Sequence, residues 1–310
     1  MPNHAQTRSA KPAHRFPPWL RKRVPTGEAA ARVRDLLAEL GLATVCSSAH
    51  CPNLPECFAR GTATFLILGS SCTRSCRFCA ISNDAPGPLR KEEPEAVAEA
   101  CERLGLRHVV ITSVTRDDLP DGGAAHFAKT IRAVRRRMPK TVIEVLTPDF
   151  LGREPSVDIV LDAGPDIFNH NVETVPRLYP HVRPEADYRR SLDVLAYAKR
   201  RAERGAASLY TKSGLMVGLG ETPDEVRTVL GDLRRAACDI VTIGQYLAPS
   251  SAHVPVARFV EPAEFEAWEA EARALGFAAV AAGPFVRSSY LAEGVFGGRR
   301  GADRVCEGEC

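Results

Sequence analysis

The chain has 310 residues, of which 45% are hydrophobic and 25% charged, a composition typical of a globular protein with one large core or two modest ones. Its apolar runs fall well short of the roughly 20 residues that a membrane span needs, and a net charge of +3 does not suggest nucleic-acid binding. The opening residues lack the apolar stretch of a signal peptide, so we expect a cytoplasmic protein without membrane contact.

The sequence divides into four predicted segments. A basic arm (1–27) precedes a helix and a cysteine-containing stretch (28–61), a long repeating body (62–282) and a C-terminal segment with a tail (283–310). Arginines and lysines are frequent in the first 25 residues, which contain no acidic residue. Such an arm either binds an acidic partner or is a solvated terminus.

Strand-type and helix-type runs alternate through the body. The predicted strands are "TATFLILG", "HVVITSV", "TVIEVLT", "DIVLDAG", "DIFNHNVE", "GLMVGLG" and "DIVTIGQYL". The predicted helices are "EEPEAVAEACERLGL", "HFAKTIRAVRRRM", "DYRRSLDVLAYAKRRAERG", "TPDEVRTVLGDLRRAAC" and "PAEFEAWEAEARALG". About six β-α units predict a parallel sheet, which right-handed crossovers would curl into a full or partial barrel. A doubly wound open sheet fits the same alternation.

Polar residues follow several of the predicted strands, and this placement favours the barrel, whose chemistry lies at the carboxyl ends of its strands. The residues are Arg116, Asp117, Asp118, Asn169, His170, Asn171, Glu173 and Gln245. Arg116, Asp117 and Asp118 could position the substrate chain or order the loop after the second strand, and at least one of the two aspartates is expected to cap a helix, since aspartate is common at helix N-termini.

Three cysteines follow the first strand of the body. Cys72, Cys76 and Cys79 have the spacing C-x3-C-x2-C in a polar loop. Three thiolates leave one iron of a cuboidal 4Fe-4S cluster without a protein ligand, and an open iron can bind a substrate or cofactor. The alternative of a zinc site needs a fourth nearby ligand at a regular pair spacing.

A second triad, formed by Cys46, Cys51 and Cys57, precedes the first with the spacing C-x4-C-x5-C. The two triads together suggest two clusters, each with one iron that lacks a thiolate. Alternatively, the six thiols share one polynuclear site or form a structural cluster, to which His50 would be a further ligand.

The first of these motifs, with Phe78 before its last cysteine, resembles the signature of the radical S-adenosylmethionine (SAM) enzymes. Both triads together with "RSSY" at Arg287–Tyr290 resemble the lipoyl synthase family. Further blocks extend this resemblance over nearly the whole chain: "CPNLPEC", "TSVTRDDLPDGGA", "FNHNVETV", "YTKSGLMVGLGE" and "GQYLAPS". The resemblance implies an α/β fold, a partial (β/α)6 TIM-type barrel of the radical SAM type with N-terminal and C-terminal extensions.

The resemblance also implies the reaction, in which two sulfur atoms are inserted at carbons 6 and 8 of a protein-bound octanoyl-lysine to make the lipoyl cofactor. A 4Fe-4S cluster held by Cys72, Cys76 and Cys79 would bind SAM and cleave it to a 5'-deoxyadenosyl radical. An auxiliary 4Fe-4S cluster would supply the sulfur. Its ligands, by motif match, are Cys46, Cys51, Cys57 and Ser289.

Several further residues match the family's cofactor-binding positions. Asn171, Glu173 and Lys212 are carried over as SAM contacts, together with Phe78 and the backbone of "GLMVGLGE". Arg287 would neutralise the charge of the auxiliary cluster. Alternatively, Lys212 and Glu173 pair with each other or with solvent.

The partners implied are octanoylated lipoyl-carrier domains of 2-oxoacid dehydrogenase complexes or the glycine cleavage H protein, an electron donor and an iron-sulfur assembly factor. Two rivals stay open: another two-cluster radical SAM enzyme such as a methylthiotransferase, and a non-enzymatic iron-sulfur protein. Cys101 and Cys238 are expected to pack as small apolar residues, and Cys306 and Cys310 to belong to a tail.

Overall fold

The computed structural model describes residues 16–21, 28–44, 53, 64–205 and 209–289. Within these ranges the strands are β1 Ala43–Thr44, β2 Thr64–Ile67, β3 His108–Ser113, β4 Val142–Leu146, β5 Ile167–Asn169, β6 Tyr210–Val217, β7 Ile240–Gln245 and β8 Ala279–Gly283. The α-helices are α1 Glu28–Glu39, α2 Glu93–Arg103, α3 Ala124–Arg137, α4 Glu154–Leu161, α5 Tyr179–Val182, α6 Tyr188–Glu203, α7 Pro223–Arg235 and α8 Pro262–Ala274.

The strands form one sheet in chain order from β1 to β8. Strand β1 runs antiparallel to β2, and every later pair is parallel. A helix follows each of the strands β2 to β7, which gives six β-α units before the last strand β8. Among the described residues β8 pairs with β7 alone, so the barrel stays open. The predicted partial barrel is therefore confirmed.

Two apolar clusters form the core. The first lies around β2 to β5 and receives Val33, Leu36 and Leu37 from α1, while the second lies around β6 to β8 with α7 and α8. Residues of β2 and β7 are buried throughout, as expected for parallel strands covered on both faces. Cys101 and Cys238 are fully buried, which confirms that they pack as small apolar residues.

One predicted strand is wrong. The run "DIVLDAG" begins inside α4, whose first turn carries Pro155, a residue that suits the start of a helix. Ser156, Val157 and Val160 form its buried face, whereas Ile159 is partly exposed. A short apolar run does not distinguish a buried strand from a buried helical segment, and this one is helical.

The described end of the basic arm packs against the body. Leu20 is buried, the indole N–H of Trp19 donates to the carbonyl of Val260 at 3.1 Å, and the rings of Phe16 and Phe259 lie 5.7 Å apart. This part of the arm is therefore docked rather than solvated. The proposed boundaries of the four segments stay predictions.

No helix in the described part of the chain is long and apolar enough to cross a membrane. Several residues on which the sequence-based predictions depend lie outside the described residues: Cys46, His50, Cys51, Cys57, Tyr290, Cys306 and Cys310.

Candidate functional site

A cavity of about 540 Å³ lies at the carboxyl ends of the parallel strands. Strands β2 to β7, or the residues directly after them, contribute to its wall, and the chain after β8 completes it. This is the end of a β/α barrel at which binding and catalytic residues are found. Apolar side chains supply much of the lining, among them Leu66, Val114, Leu146, Leu247 and Val286.

The loop after β2 brings its three cysteines to this cavity, where Cys72, Cys76 and Cys79 all line the wall. The Cys72 N–H donates to the carbonyl of Ser82 at 2.8 Å, and the Thr115 N–H donates to the Cys72 sulfur at 3.3 Å. Burial raises the pKa of Cys76 to about 12 and that of Cys79 to about 11. These thiols therefore carry protons at neutral pH in the metal-free protein, and iron must displace those protons when it binds.

In the described ranges no group of three or more His, Cys, Asp or Glu side chains is arranged to hold a single metal ion. A cuboidal cluster makes a different demand, because each thiolate binds a separate iron. Three half-buried thiols on one cavity wall are compatible with that demand.

Arg74, which lies between the first two cysteines, ties their loop to the segments that follow β3 and β4. Its guanidinium is buried and donates to Asp117 at 2.7 Å and to Asp149 at 2.6 Å. Asp149 also accepts from Arg190, and although burial raises its pKa, hydrogen bonds from Arg74 and Arg190 and nearby positive charge lower it below its usual range. Sequence reasoning missed Arg74 as a site residue, although a cation between two thiols was a signal.

Arg116 and Asp118 order the next loop. Arg116 forms a forked ion pair with Asp118, and it also donates to the carbonyl of Leu68 at 3.1 Å. The N–H groups at the start of α3 are instead bound by Asp121, which accepts from Gly123 and Ala125. The expectation that Asp117 or Asp118 caps a helix is therefore wrong.

Asn171 and Glu173 line the cavity after β5. The amide of Asn171 donates to the Glu173 carboxylate at 3.1 Å. Glu173 has a φ of 64°, in the left-handed region that non-glycine residues rarely adopt. Hydrogen bonds with Gly214 and Met216 hold this strained backbone against β6, and burial raises the pKa of the carboxyl group.

Four buried polar atoms without a hydrogen-bond partner in the described part of the chain belong to residues of the cavity wall. They are Ser113 Oγ, His170 Nε2, Asn171 Oδ1 and Arg183 Nε. Buried polar atoms are nearly always paired, so these four fit a polar ligand that supplies the missing partners. The wall is tightly packed at Gly214, where a Cβ would lie 2.6 Å from Thr242 Oγ1.

His170 and Arg183 are site residues whose roles sequence reasoning missed. His170 Nδ1 lies 2.9 Å from the carbonyl of Thr147, so Nδ1 donates and Nε2 is the acceptor. Burial lowers the pKa of His170 to about 4, which keeps the ring neutral at pH 7. Arg183 donates to the carbonyls of Asn171 and Val172, and no local motif marks it in the sequence.

The first residues of "RSSY" also line the cavity: Arg287, Ser288 and Ser289. The Ser288 carbonyl accepts from Lys212 Nζ at 2.6 Å, and its hydroxyl accepts from the Asn171 amide at 2.6 Å. Gly244 lets this segment lie close to β7, because a Cβ at Gly244 would overlap the carbonyl of Val286.

Lys212 does not line the cavity. Its ammonium is buried and binds Glu144 at 2.8 Å in addition to Ser288, and the alternative pairing with Glu173 is not found among the described residues. This position supports a structural role for Lys212, whereas direct contact with SAM stays a prediction without geometric support.

Of the remaining residues singled out in the sequence, some line the cavity and others bind only neighbouring protein groups. Phe78 lines the cavity and packs against the second core cluster. Within "GLMVGLGE", Gly214–Met216 line the cavity, whereas Glu221 folds the end of the motif on itself by accepting from the N–H groups of Gly218 and Leu219. Gln245 accepts from Val260 N–H and donates to nearby carbonyls, so it ties loops together.

Two family models match parts of the chain. The model of the radical SAM superfamily matches residues 66–233, and the model of the N-terminal domain of lipoyl synthase of the radical SAM family matches residues 3–51. Lipoyl synthase from Chlorobium limicola is 55% identical over 278 residues, covering 89% of this chain and 94% of the relative. Lipoyl synthase from Caldanaerobacter subterraneus is also 55% identical, over 90% of this chain and 96% of the relative.

Among solved structures, the crystal structure of HydG, a maturase of the FeFe-hydrogenase, matches with a TM-score of 0.55 and 15% identity. The match covers 83% of this chain and 63% of that one. At this identity the likeness shows a shared fold.

Proposed function

The chain belongs to the lipoyl synthase family of the radical SAM superfamily, and we propose that it inserts two sulfur atoms into an octanoyl chain carried on a lysine of a carrier protein. The insertions take place at carbons 6 and 8 and give the lipoyl cofactor. One observation carries the proposal: the thiols of the C-x3-C-x2-C loop and the segment Arg287–Ser289 line the same cavity. A radical site and a sulfur source can therefore reach one substrate.

The family implies SAM and a 4Fe-4S cluster, and the cavity fits both. Cys72, Cys76 and Cys79 would hold the cluster, and the unpartnered atoms of His170 and Asn171 would bind the polar groups of SAM. When bound, the two cofactors supply a 5'-deoxyadenosyl radical, which removes a hydrogen atom from the acyl chain. The cofactor must do this step, since an unactivated methylene offers nothing to acid-base or nucleophilic catalysis.

The sulfur source in this proposal is an auxiliary 4Fe-4S cluster, which is consumed as a substrate. Its ligands are Cys46, Cys51, Cys57 and Ser289. One contact supports its nearness to the cavity: Asn53, which stands between Cys51 and Cys57 in the sequence, donates to the carbonyl of Phe285 at 2.7 Å. That hydrogen bond joins the segment of the second triad to the chain that leads to Ser289.

A serine is a suitable fourth ligand for a cluster that is dismantled. Its oxygen is harder than a thiolate sulfur and matches the iron of a sulfide cluster less well. Ser289 would therefore leave more readily than a cysteine. Arg287 supplies positive charge on the same wall, and this charge offsets part of the rise that burial causes in the pKa of Glu173.

The octanoyl chain fits the apolar part of the lining, where it leaves water on binding. Phe16 lines the cavity with half of its side chain exposed, so the docked end of the N-terminal arm contributes to this apolar surface. We propose octanoylated lipoyl-carrier domains as the macromolecular substrates, which the basic arm would bind if their surfaces are acidic. An electron donor and an iron-sulfur assembly factor complete the proposed partners.

The test is an anaerobic assay of the reconstituted protein with SAM, dithionite and an octanoyl-lysine peptide, followed by mass spectrometry of the peptide. We expect a mass gain of two sulfur atoms, less two hydrogens when the dithiol closes to a ring. Formation of 5'-deoxyadenosine without any sulfur on the peptide would retain the radical chemistry and reject the substrate.

Variants separate the two proposed clusters. Cys76→Ala is expected to abolish 5'-deoxyadenosine formation, whereas Cys51→Ala and Ser289→Ala should retain it and lose sulfur insertion. Ser288→Ala is the comparison variant: it removes the hydroxyl that Asn171 binds but keeps the carbonyl that Lys212 binds, so it should lower sulfur insertion less than Ser289→Ala does. Equal loss of SAM cleavage in the Cys76 and Cys51 variants would contradict the division into two clusters.

A further inference from the structure

A buried ion pair lies inside the barrel beside the cavity. Lys212 on β6 and Glu144 on β4 are both almost fully buried, and their charged atoms are 2.8 Å apart. Burying two charges carries a desolvation cost that their mutual attraction largely consumes, so such a pair gives little net stability compared with apolar residues. A role other than stability is therefore worth seeking.

Further contacts hold Glu144 in place. Its carboxylate accepts from the Asn169 amide at 2.9 Å and lies 3.2 Å from His108 Nε2. Burial raises the pKa of Glu144, but the charge of Lys212 and the contact with His108 outweigh burial and hold the pKa well below its usual range. The Glu144 carboxylate is thus charged at neutral pH, and contacts from β3, β5 and β6 fix it in place.

The other end of Lys212 binds the C-terminal segment. Nζ donates to the Ser288 carbonyl at 2.6 Å, a short distance typical of a charge-assisted hydrogen bond. Asn171 binds the hydroxyl of the same serine at 2.6 Å. Gly214 and Gly244 leave the space that the segment fills, because a Cβ at either position would crowd it.

We propose that Lys212 is a positioning residue, whose ammonium, held by Glu144, fixes the main chain at Ser288 and thereby the place of the Ser289 hydroxyl on the cavity wall. This inference rests on the proposed function, in which Ser289 binds the auxiliary cluster. Lys212 acts through the segment and touches neither SAM nor the reacting atoms.

Removal of the ammonium should loosen the segment and leave the cysteine loop unchanged. A hydrogen bond to a charged group corresponds to an equilibrium factor of roughly 10 to 100. We expect sulfur insertion to fall by about that factor, while 5'-deoxyadenosine formation stays within about twofold of the unaltered protein.

Lys212→Met leaves the carboxylate of Glu144 buried without its counter-charge, and this variant can fail to fold. The double variant Lys212→Met/Glu144→Gln is therefore the main test, since it removes both charges and keeps the side-chain volumes similar. Lys199→Met is the matched control. Its ammonium pairs with Asp239 at 2.8 Å, away from the cavity wall.

The first readout is independent of activity. Hydrogen–deuterium exchange of residues 284–289 in the metal-free protein should quicken about 10-fold or more in the double variant and stay unchanged in Lys199→Met. The Val286 amide is a direct reporter, because it donates to the carbonyl of Gly283 at 3.1 Å.

The second readout is the ratio of sulfur insertion to 5'-deoxyadenosine formation in the reconstituted protein. Unchanged exchange in the double variant would overturn the proposal, as would equal loss of both reactions, which would assign Lys212 to SAM binding. If the unaltered protein inserts no sulfur, the proposed function fails, while the exchange measurement still tests the positioning.

Discussion

His170 gives a quantitative test of the cavity's electrostatics. The imidazole is buried, its Nδ1 donates to the Thr147 carbonyl, and its Nε2 has no partner among the described residues. Burial lowers the pKa to about 4, from 6.5 for an exposed histidine. The folded protein therefore binds this proton less readily than the unfolded chain, so stability falls as the pH drops through the unfolded pKa of 6.5 and continues to fall until the folded pKa is reached.

These two pKa values set the magnitude. Between pH 7 and pH 5 the proton bound only by the unfolded chain lowers the free energy of unfolding by about 2 kcal/mol. Between pH 8 and pH 7 the same group contributes only about 0.1 kcal/mol, because histidine is neutral in both states over most of that range. The two intervals therefore provide a test and an internal control.

The measurement is denaturant unfolding of the metal-free protein and of His170→Asn at pH 8, 7 and 5, under anaerobic conditions. The two proteins share every other titrating group, so the difference between their pH dependences reports His170. We expect the unaltered protein to lose about 2 kcal/mol more than the variant between pH 7 and pH 5, and equal amounts between pH 8 and pH 7. If the unaltered protein and the variant lost equal stability between pH 7 and pH 5 as well, a neutral, buried His170 would be refuted.

Two further predictions concern the walls of the cavity. Gly244→Ala should displace the chain at Val286 and lower sulfur insertion at least about 10-fold, with SAM cleavage retained. Gly231→Ala, in α7, is the control and should preserve both reactions. Product analysis of the two variants is the measurement, and similar behaviour of both would contradict close packing of Val286 against Gly244. Arg74→Met should lower the free energy of unfolding by about 3 kcal/mol and impair iron binding at the cysteine loop. Arg136→Met, at an exposed ion pair, should lower it by less than about 1 kcal/mol. Equal effects of the two variants in denaturant unfolding would show that Arg74 does not support the loop.

The fold was predictable where its signals are local. The five predicted helices of the body match α2, α3, α6, α7 and α8 within a few residues at each end, because their apolar periodicity and end signals agree, whereas the short α5 was not predicted. The run in α4 was misread, since three consecutive apolar residues fit a strand and a buried helix equally well. That the sheet remains open at β8 depends on pairing between distant strands, which no local pattern shows.

The site was predictable where its residues are neighbours in sequence. The cysteine loop and the residues after β5 meet at one cavity, as their places at strand ends suggested. The partners of Lys212 were not predictable, since Glu144 precedes it by 68 residues and Ser288 follows it by 76. Such contacts form only when the fold brings β4, β6 and the chain after β8 together.

The desolvation cost of the buried Lys212–Glu144 pair has an explanation if Ser289 is a ligand that must later be released. A serine oxygen binds the iron of a sulfide cluster less strongly than a thiolate does, so bond strength alone holds it poorly in place. Preorganisation of the backbone can supply what the bond lacks, because a hydroxyl already at the required place pays no ordering entropy on binding. A buried, hydrogen-bonded charge pair that gives little stability can still hold one carbonyl firmly, and here that carbonyl belongs to Ser288, the residue before the proposed ligand.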